Sequence, residues 1–379
     1  MNYSIKILEK ISEVAAGQWN ALGVSAYPFL QHEFLEALEE TGCLGERWGW
    51  LPRHIAISGD DGRLIAAAPL YLKFNSYGEF VFDWSWADAY QRNGLAYYPK
   101  LVSASPYTPA TGPKLLLHER APAECEQILL GTALELARQA KCSSLHWLFP
   151  TKEQTEAFLR HGFLRRTGCQ FHWTNHGYRD FEDFLSRFSS SKRKQVKRER
   201  RRVQEAGIDF RLLDGNTAHE TDWRDFHDLY ESTFQKKGGM PTLSLAFFQQ
   251  IAQKMPEQVL LVQAITEGKV VAAAFNLVGS DTLYGRHWGC REEYHSLHFE
   301  ACYYQGLQFC IERGLRRFEP GAQGEHKISR GFLPTPTWSF HWLQDERFHK
   351  AVQHFVETEH EGMLDYMQEL QERSPFKQT

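Results

Sequence analysis

VLLVQAITEGKVVAAAFNLVG, residues 259–279, decides how this chain folds. Two apolar, β-rich runs flank Glu267 and Gly268, a tight two-residue connection that predicts a β-hairpin. The same form appears earlier as HIAISGDDGRLIAAAPLYLKF, residues 54–74, around Asp60, Asp61 and Gly62. A chain of 379 residues exceeds the size at which one core stops growing, so one hairpin in each half predicts two domains.

The segments around the hairpins repeat one order. In the first half a helix through HEFLEALEETG precedes the hairpin, and a helix through ECEQILLGTALELARQ, a strand at SSLHWLFP, a helix through EQTEAFLRHG and a strand at CQFHWTN follow it. In the second half, helices through WRDFHDLYESTFQKKG and SLAFFQQIAQK precede the hairpin. A helix over 297–313 and a strand around Arg317 to Glu319 follow it. The reading is an α/β (α+β) protein of two similar units in tandem, residues 1–180 and 181–379. The second carries a basic connecting helix at its start and a helix through ERFHKAVQHFVETEHEGMLDYMQELQE at its end, kinked at Gly362.

A hydrophobic fraction of 42%, 14% aromatic residues and 24% charged residues exclude a disordered chain. The net charge of -4 argues against a surface coated for nucleic acid. Seven cysteines without a CxxC pair indicate neither a disulfide framework nor a zinc ribbon, and reduced thiols are the simplest reading. MNYSIKILEKISEV has no secretory pattern, and no apolar run approaches the roughly 20 residues of a membrane span. A cytoplasmic protein is expected.

SSSKRKQVKRERRRVQEAG, residues 189–207, departs from the acidic balance. Ser191 is placed to cap a helix and Gly207 to end it. Its eight lysines and arginines are opposed only by Glu199 before the last turn. Either this is a solvated face, or Lys197, Arg198 and Arg201 meet phosphates of a tRNA, a nucleotide-linked substrate or an anionic lipid.

The tandem order, this basic helix and the stretches FDWSWADAY, YYPKLVSASPYTPATGP, YGRHWGC, LHFEACYYQGLQFCIERGL and FEPGAQGEHKISRGF resemble the FemAB-like predicted N-acyltransferases of the GNAT superfamily. The resemblance covers roughly Pro28 to Trp342. It implies two tandem GNAT-like acyltransferase domains joined by the basic helix. It also implies transfer of an acyl or aminoacyl group to an amine, a peptidoglycan precursor in Fem-type relatives. The co-substrate would be an acyl-coenzyme A or an aminoacyl-tRNA, with no bound cofactor. QRNGLA, residues 91–96, matches the Q/R-x-x-G-x-G/A loop that cradles a pyrophosphate at a helix N-terminus, yet the proline-containing YYPKLVSASP follows it. An ordinary turn stays open as the alternative.

Acyl transfer to an amine needs a base and donors aimed at the developing oxyanion. FEPGAQGEHKISRGF, residues 318–332, offers both: three glycines shape the backbone, Glu319 or His326 could take the proton, and Gln323, Lys327 and Arg330 could hold substrate. A loop braced by internal ion pairs is the other reading. In YGRHWGC, strand alternation puts Arg286 and Trp288 on one face and His287 on the other, so Arg286 is a candidate binder of anionic groups and His287 a catalytic candidate or a core residue. Glu300 fits catalysis and a helix N-terminal turn equally. Cys290, His295, His298 and Cys302 lack zinc spacing, so no metal is expected. FDWSWADAY reads as a strand opening into a pocket where Trp86 forms a wall and Asp83 and Asp88 hold an amine, one with a raised pKa. The rival is an aromatic core with Asp88 capping a short helix. A non-catalytic binding protein for a nucleotide, RNA or cell-wall fragment is the alternative function.

Overall fold

Glu267 and Gly268 take φ of 50° and 73°, closing Val259–Thr266 onto Lys269–Val278 as the two-residue turn requires. The computed structural model describes residues 3–322 and 324–377. The chain divides into two compact units, one of residues 1–169 with 336–366, the other of 170–335 with 367–379. The division is discontinuous, where the sequence suggested one cut between 180 and 181. Its boundaries at 169 and 335 fall inside the strands Leu164–Thr174 and Leu333–Leu343, and the helix Glu346–Glu372 spans the third. Gly362 lies within that helix without ending it.

In the first unit, His54–Ser58 and Leu64–Ala68 form the expected antiparallel hairpin, flanked by Ser4–Leu8 and Leu116–Leu117. A second set runs in the order Trp50–Pro52, Tyr71–Lys73, Lys100–Ser103, Ser144–Leu148 and Ser339–Leu343. Lys100–Ser103 and Ser144–Leu148 are parallel, so a crossover must join them, and the helix Glu124–Gln139 supplies it. Ile55, Leu129, Trp147 and Phe340, all without exposed surface, fill the core beneath that helix.

The second unit orders its strands Asp209–Leu213, Val259–Thr266, Lys269–Val278, Thr282–Cys290 and Arg317–Glu319, the last of which pairs with Trp173 and Thr174. Here four antiparallel strands lead to a parallel pair, joined by helical turns from Leu297 to Arg313. The fold is a tandem pair of GNAT-like α/β domains. The helix Glu220–Lys236 packs so closely on the sheet that a Cβ at Gly289 would stand 2.2 Å from the Leu229 carbonyl oxygen. Phe226, Phe248 and Phe275 interlock beneath it.

FDWSWADAY is a helix, Trp84–Arg92, with Asp83 at its N-cap position. Its aromatic residues fall at helical spacing: Trp86 and Tyr90, one turn apart, are buried together against Val352 and Val356. QRNGLA is the end of this same helix, with Gly94 left-handed at φ 71° just beyond the Asn93 cap. A helix C-terminus presents carbonyl oxygens and the negative end of its dipole, so this stretch lacks the amide cradle of a phosphate loop.

Candidate functional site

The pocket of the second unit begins where its parallel strands part. Thr282, Leu283 and Tyr284 pair with Arg317, Phe318 and Glu319, after which one strand continues to Cys290 while the other chain turns away at Pro320 and Gly321. Gly285 sits at the fork, where a Cβ would come within 3.1 Å of the Pro320 Cα, and Gly321 has φ 91°. A pocket of about 370 Å³ opens in the gap. It falls within the usual range for small ligands.

Three local departures from regular structure line this pocket. The ladder between Lys269–Val278 and Thr282–Cys290 shifts register between Phe275 and Asn276, which face His287 and Gly285, so Arg286 is the extra residue of a bulge. The bulge breaks simple alternation: Arg286, His287 and Trp288 all line the pocket. Glu300–Tyr304 is a π-helical turn and brings Cys302 and Tyr303 to the wall. The short helix Glu325–Arg330, entered through Gly324 at φ 118°, delivers His326 and Lys327.

The Tyr303 hydroxyl and His326 Nε2 are 2.9 Å apart. Burial, reinforced by Arg330 and Lys327, lowers the His326 pKa, while burial raises that of Tyr303. The imidazole is therefore neutral and the phenol protonated at ordinary pH. His298 is pushed down to about 4, by burial first and then by His326, Lys327, Arg330 and Lys237. Burial, with Arg286 beside it, pushes His287 well below the usual histidine range. Lys327 donates to the Gly321 carbonyl at 2.8 Å, and burial lowers its pKa to about 8.

Of the residues proposed from sequence, His326, Lys327, Arg286 and His287 meet in this pocket. Gln323 lies outside the described residues. Glu319 ends its strand buried, 3.9 Å from His172 Nδ1 and 4.0 Å from Arg317, and is absent from the lining. Glu300 is buried against Arg200 at 3.0 Å. Arg330 is buried too, donating to Glu199 at 2.8 Å and to the His326 carbonyl at 2.6 Å, with Phe299 stacked beneath its guanidinium. Reading Arg330 as facing a ligand and Glu300 as a catalytic candidate overlooked the basic helix, which supplies Glu199 and Arg200 as their respective partners.

Asp83, Asp88 and Trp86 belong to the first unit and form no shared amine pocket. Asp83 is buried 2.5 Å from Lys100 Nζ and accepts from Tyr97 at 2.6 Å. Against the cost of burial, Lys100 and His146 hold its pKa down at about 2, opposite to the expected rise. Asp88 is exposed and pairs with Arg92 at 2.8 Å. Trp86 lines a separate apolar pocket of about 440 Å³ with Phe348 and Phe355.

The basic helix is Ser190–Glu205, with Ser189 at the cap position instead of Ser191, and Gly207 follows it left-handed at φ 67°. Val196, Glu199 and Val203 face inward. Lys197, Arg198 and Arg201 are exposed; Lys197 pairs with Glu182 at 2.5 Å. Tyr303, His298, Lys237 and Asn276 also line the pocket and had no sequence role assigned. Only LHFEACYY carried a hint of two of them, as polar residues inside an apolar helical stretch.

The two units and the forked parallel strands define the class: a tandem GNAT-like protein whose pocket lies in the second unit. The chain belongs to the FemAB-like family, described as peptidoglycan biosynthesis/recognition, whose profile matches residues 10–378. Family and fold together support a transferase of the acyl or aminoacyl kind. The fold resembles the crystal structure of FemX, with TM-score 0.57, 12% identity, and coverage of 93% of this chain and 100% of that one. It also resembles the C-terminal domain of a lysylphosphatidylglycerol synthetase from Agrobacterium fabrum, with TM-score 0.54, 9% identity and coverage of 89% and 95%. L-PGS from Bacillus licheniformis gives TM-score 0.51, 12% identity and coverage of 86% and 96%. No curated protein matches this sequence. Among the described residues, no helix is long and apolar enough to cross a membrane, and no group of three or more His, Cys, Asp or Glu is placed to hold a metal ion.

Proposed function

We propose that this protein transfers an acyl or aminoacyl group from an activated donor, an acyl-coenzyme A or an aminoacyl-tRNA, to an amine, with a peptidoglycan precursor as the acceptor class. The observation that carries the reading is the Tyr303–His326 pair at the wall of the forked-strand pocket. The acceptor nitrogen attacks the donor carbonyl carbon, forming the C–N bond. An N–H proton passes to the Tyr303 oxygen as the phenol proton moves to His326 Nε2, and the C–S or C–O bond to the leaving group then breaks. The proton on His326 returns to the leaving group. Lys327, one of whose donors is spent on Gly321, can turn another toward the oxyanion. Neither the family nor the fold names the donor, and both come from the resemblance to Fem-type and GNAT enzymes.

Incubating the purified protein with acetyl-coenzyme A or charged tRNA and a muropeptide amine, followed by mass spectrometry, tests this. A product heavier by the acyl or aminoacyl group is expected. Binding of donor and acceptor without product would favour the non-catalytic alternative.

A further inference from the structure

We propose that Glu199 and Arg200, successive residues of the basic helix, are positioning residues that hold Tyr303 and His326 in register at the pocket wall of the second unit. The proposal rests on the reading of that pair as the transfer site, but its first readout is the state of the His326 ring, which needs no turnover.

Tyr303 stands on the π-helical turn Glu300–Tyr304 and His326 on the short helix Glu325–Arg330. A base acts only within hydrogen-bond reach of the proton it takes, and a misplacement of about 1 Å can cost roughly a hundred-fold in rate, so these two brief elements must be fixed against each other. The Glu199 carboxylate bridges them. One of its oxygens accepts from the hydroxyl of Tyr304, the residue after Tyr303. The other accepts at 2.8 Å from Arg330, which also donates to the His326 carbonyl oxygen at 2.6 Å. Phe299, 3.4 Å from the guanidinium, sets the plane of Arg330, and Gln195, one turn earlier on the basic helix, donates to Glu199 at 3.0 Å. Arg200 grips the start of the π-helical turn: its Nε donates to both oxygens of Glu300 at 3.1 and 3.2 Å, and its far end reaches Gln308 at 3.2 Å. Burying Glu199 and Arg330 costs desolvation, and apolar side chains of the same size would pack these elements as tightly. What the charged bridge adds is direction, because charge-assisted hydrogen bonds fix distance and angle together.

The test compares the full chain with its Glu199→Gln and Arg200→Lys variants by NMR titration of the His326 ring and by transfer kinetics. Arg200→Lys keeps the charge and gives up the planar grip on Glu300. Arg211→Gln, which breaks an ion pair with Asp222 in the same unit, is the control for a loss of stability alone. In the wild type, burial, Arg330 and Lys327 hold the His326 pKa below 6.5. A ring released from Tyr303 into solvent titrates closer to that ordinary value, whereas removing the Glu199 charge would by itself shift the midpoint further down. The expected result is therefore a midpoint that rises in both variants, with kcat reduced roughly ten-fold or more and KM nearly unchanged, and no such change in Arg211→Gln. The Arg200 side chain is 28% exposed, so its variant decides the matter even if Glu199→Gln fails to fold. A His326 midpoint that stays or falls in a folded Arg200→Lys protein would overturn the proposal. A raised midpoint with kcat unchanged, or with no transfer by the wild type, would instead overturn the transferase reading of the pair and leave its positioning by the basic helix standing.

Discussion

Tyr303 Oη lies 2.9 Å from His326 Nε2, so the π-helical turn and the short helix after Gly324 are tied together at the pocket wall. Replacing Tyr303 by Phe keeps the ring packing against Phe332 and removes only the hydroxyl. The fold should lose about 1 kcal/mol, the net worth of one hydrogen bond. The transfer rate should fall roughly ten-fold or more. Melting curves and steady-state rates on the same sample separate the two effects.

Gly324 has φ 118°, and a Cβ there would stand 2.4 Å from the His326 ring. Gly324→Ala combines backbone strain with a collision, so a stability loss above about 1 kcal/mol is expected. His326 must also move from Tyr303, and activity per folded molecule should drop. A variant as active and as stable as the parent would show that the loop tolerates a side chain.

Acid should destabilise the protein through its buried histidines. Burial first of all lowers His146 and His172 to about 3 and His298 to about 4, below the ordinary value of 6.5. As pH falls through 6.5 the unfolded chain takes up these protons before the folded chain does. Their contribution is complete above about 6.5 and is lost progressively toward 4 and below. Tm should therefore fall steadily from pH 7 to pH 4.5, and a flat Tm over that span would contradict these burials.

The hairpins, the tandem order and the loop carrying His326 and Lys327 were legible because period-two apolar runs and glycines act through local backbone chemistry. The partners of Arg330 and Glu300 were not. Glu199 lies 131 residues from Arg330 in the chain, and Arg200 lies 100 from Glu300. Nothing local marks such pairs. The alternation that separated Arg286 from His287 failed at a bulge, which is a property of two strands in register and not of one strand's sequence. FDWSWADAY misled because its aromatic residues suit a strand, while Trp86 and Tyr90 are spaced for a helix.

The exposed and the buried side of the basic helix should respond differently to substitution. Arg198→Gln with Arg201→Gln alters exposed cations, so Tm should hold within about 0.5 kcal/mol equivalent. If the exposed face meets a polyanion, binding of tRNA or heparin should weaken and its salt dependence flatten. Arg330→Met, by contrast, leaves buried Glu199 without its ion pair and should cost about 3–5 kcal/mol. Thermal melts and a salt series on both variants check this division. Equal losses of stability would refute it.

The central claim is that His326, through Tyr303, is the base that draws off the acceptor's proton in the pocket of the second unit. Its most direct test is the transfer rate of His326→Ala relative to wild type, per folded molecule, with whichever donor and acceptor the wild type turns over. The account predicts a fall of roughly 10² or more with a stability loss of only about 1 kcal/mol, the worth of the hydrogen bond to Tyr303. An undiminished rate in a well-folded His326→Ala protein would contradict it.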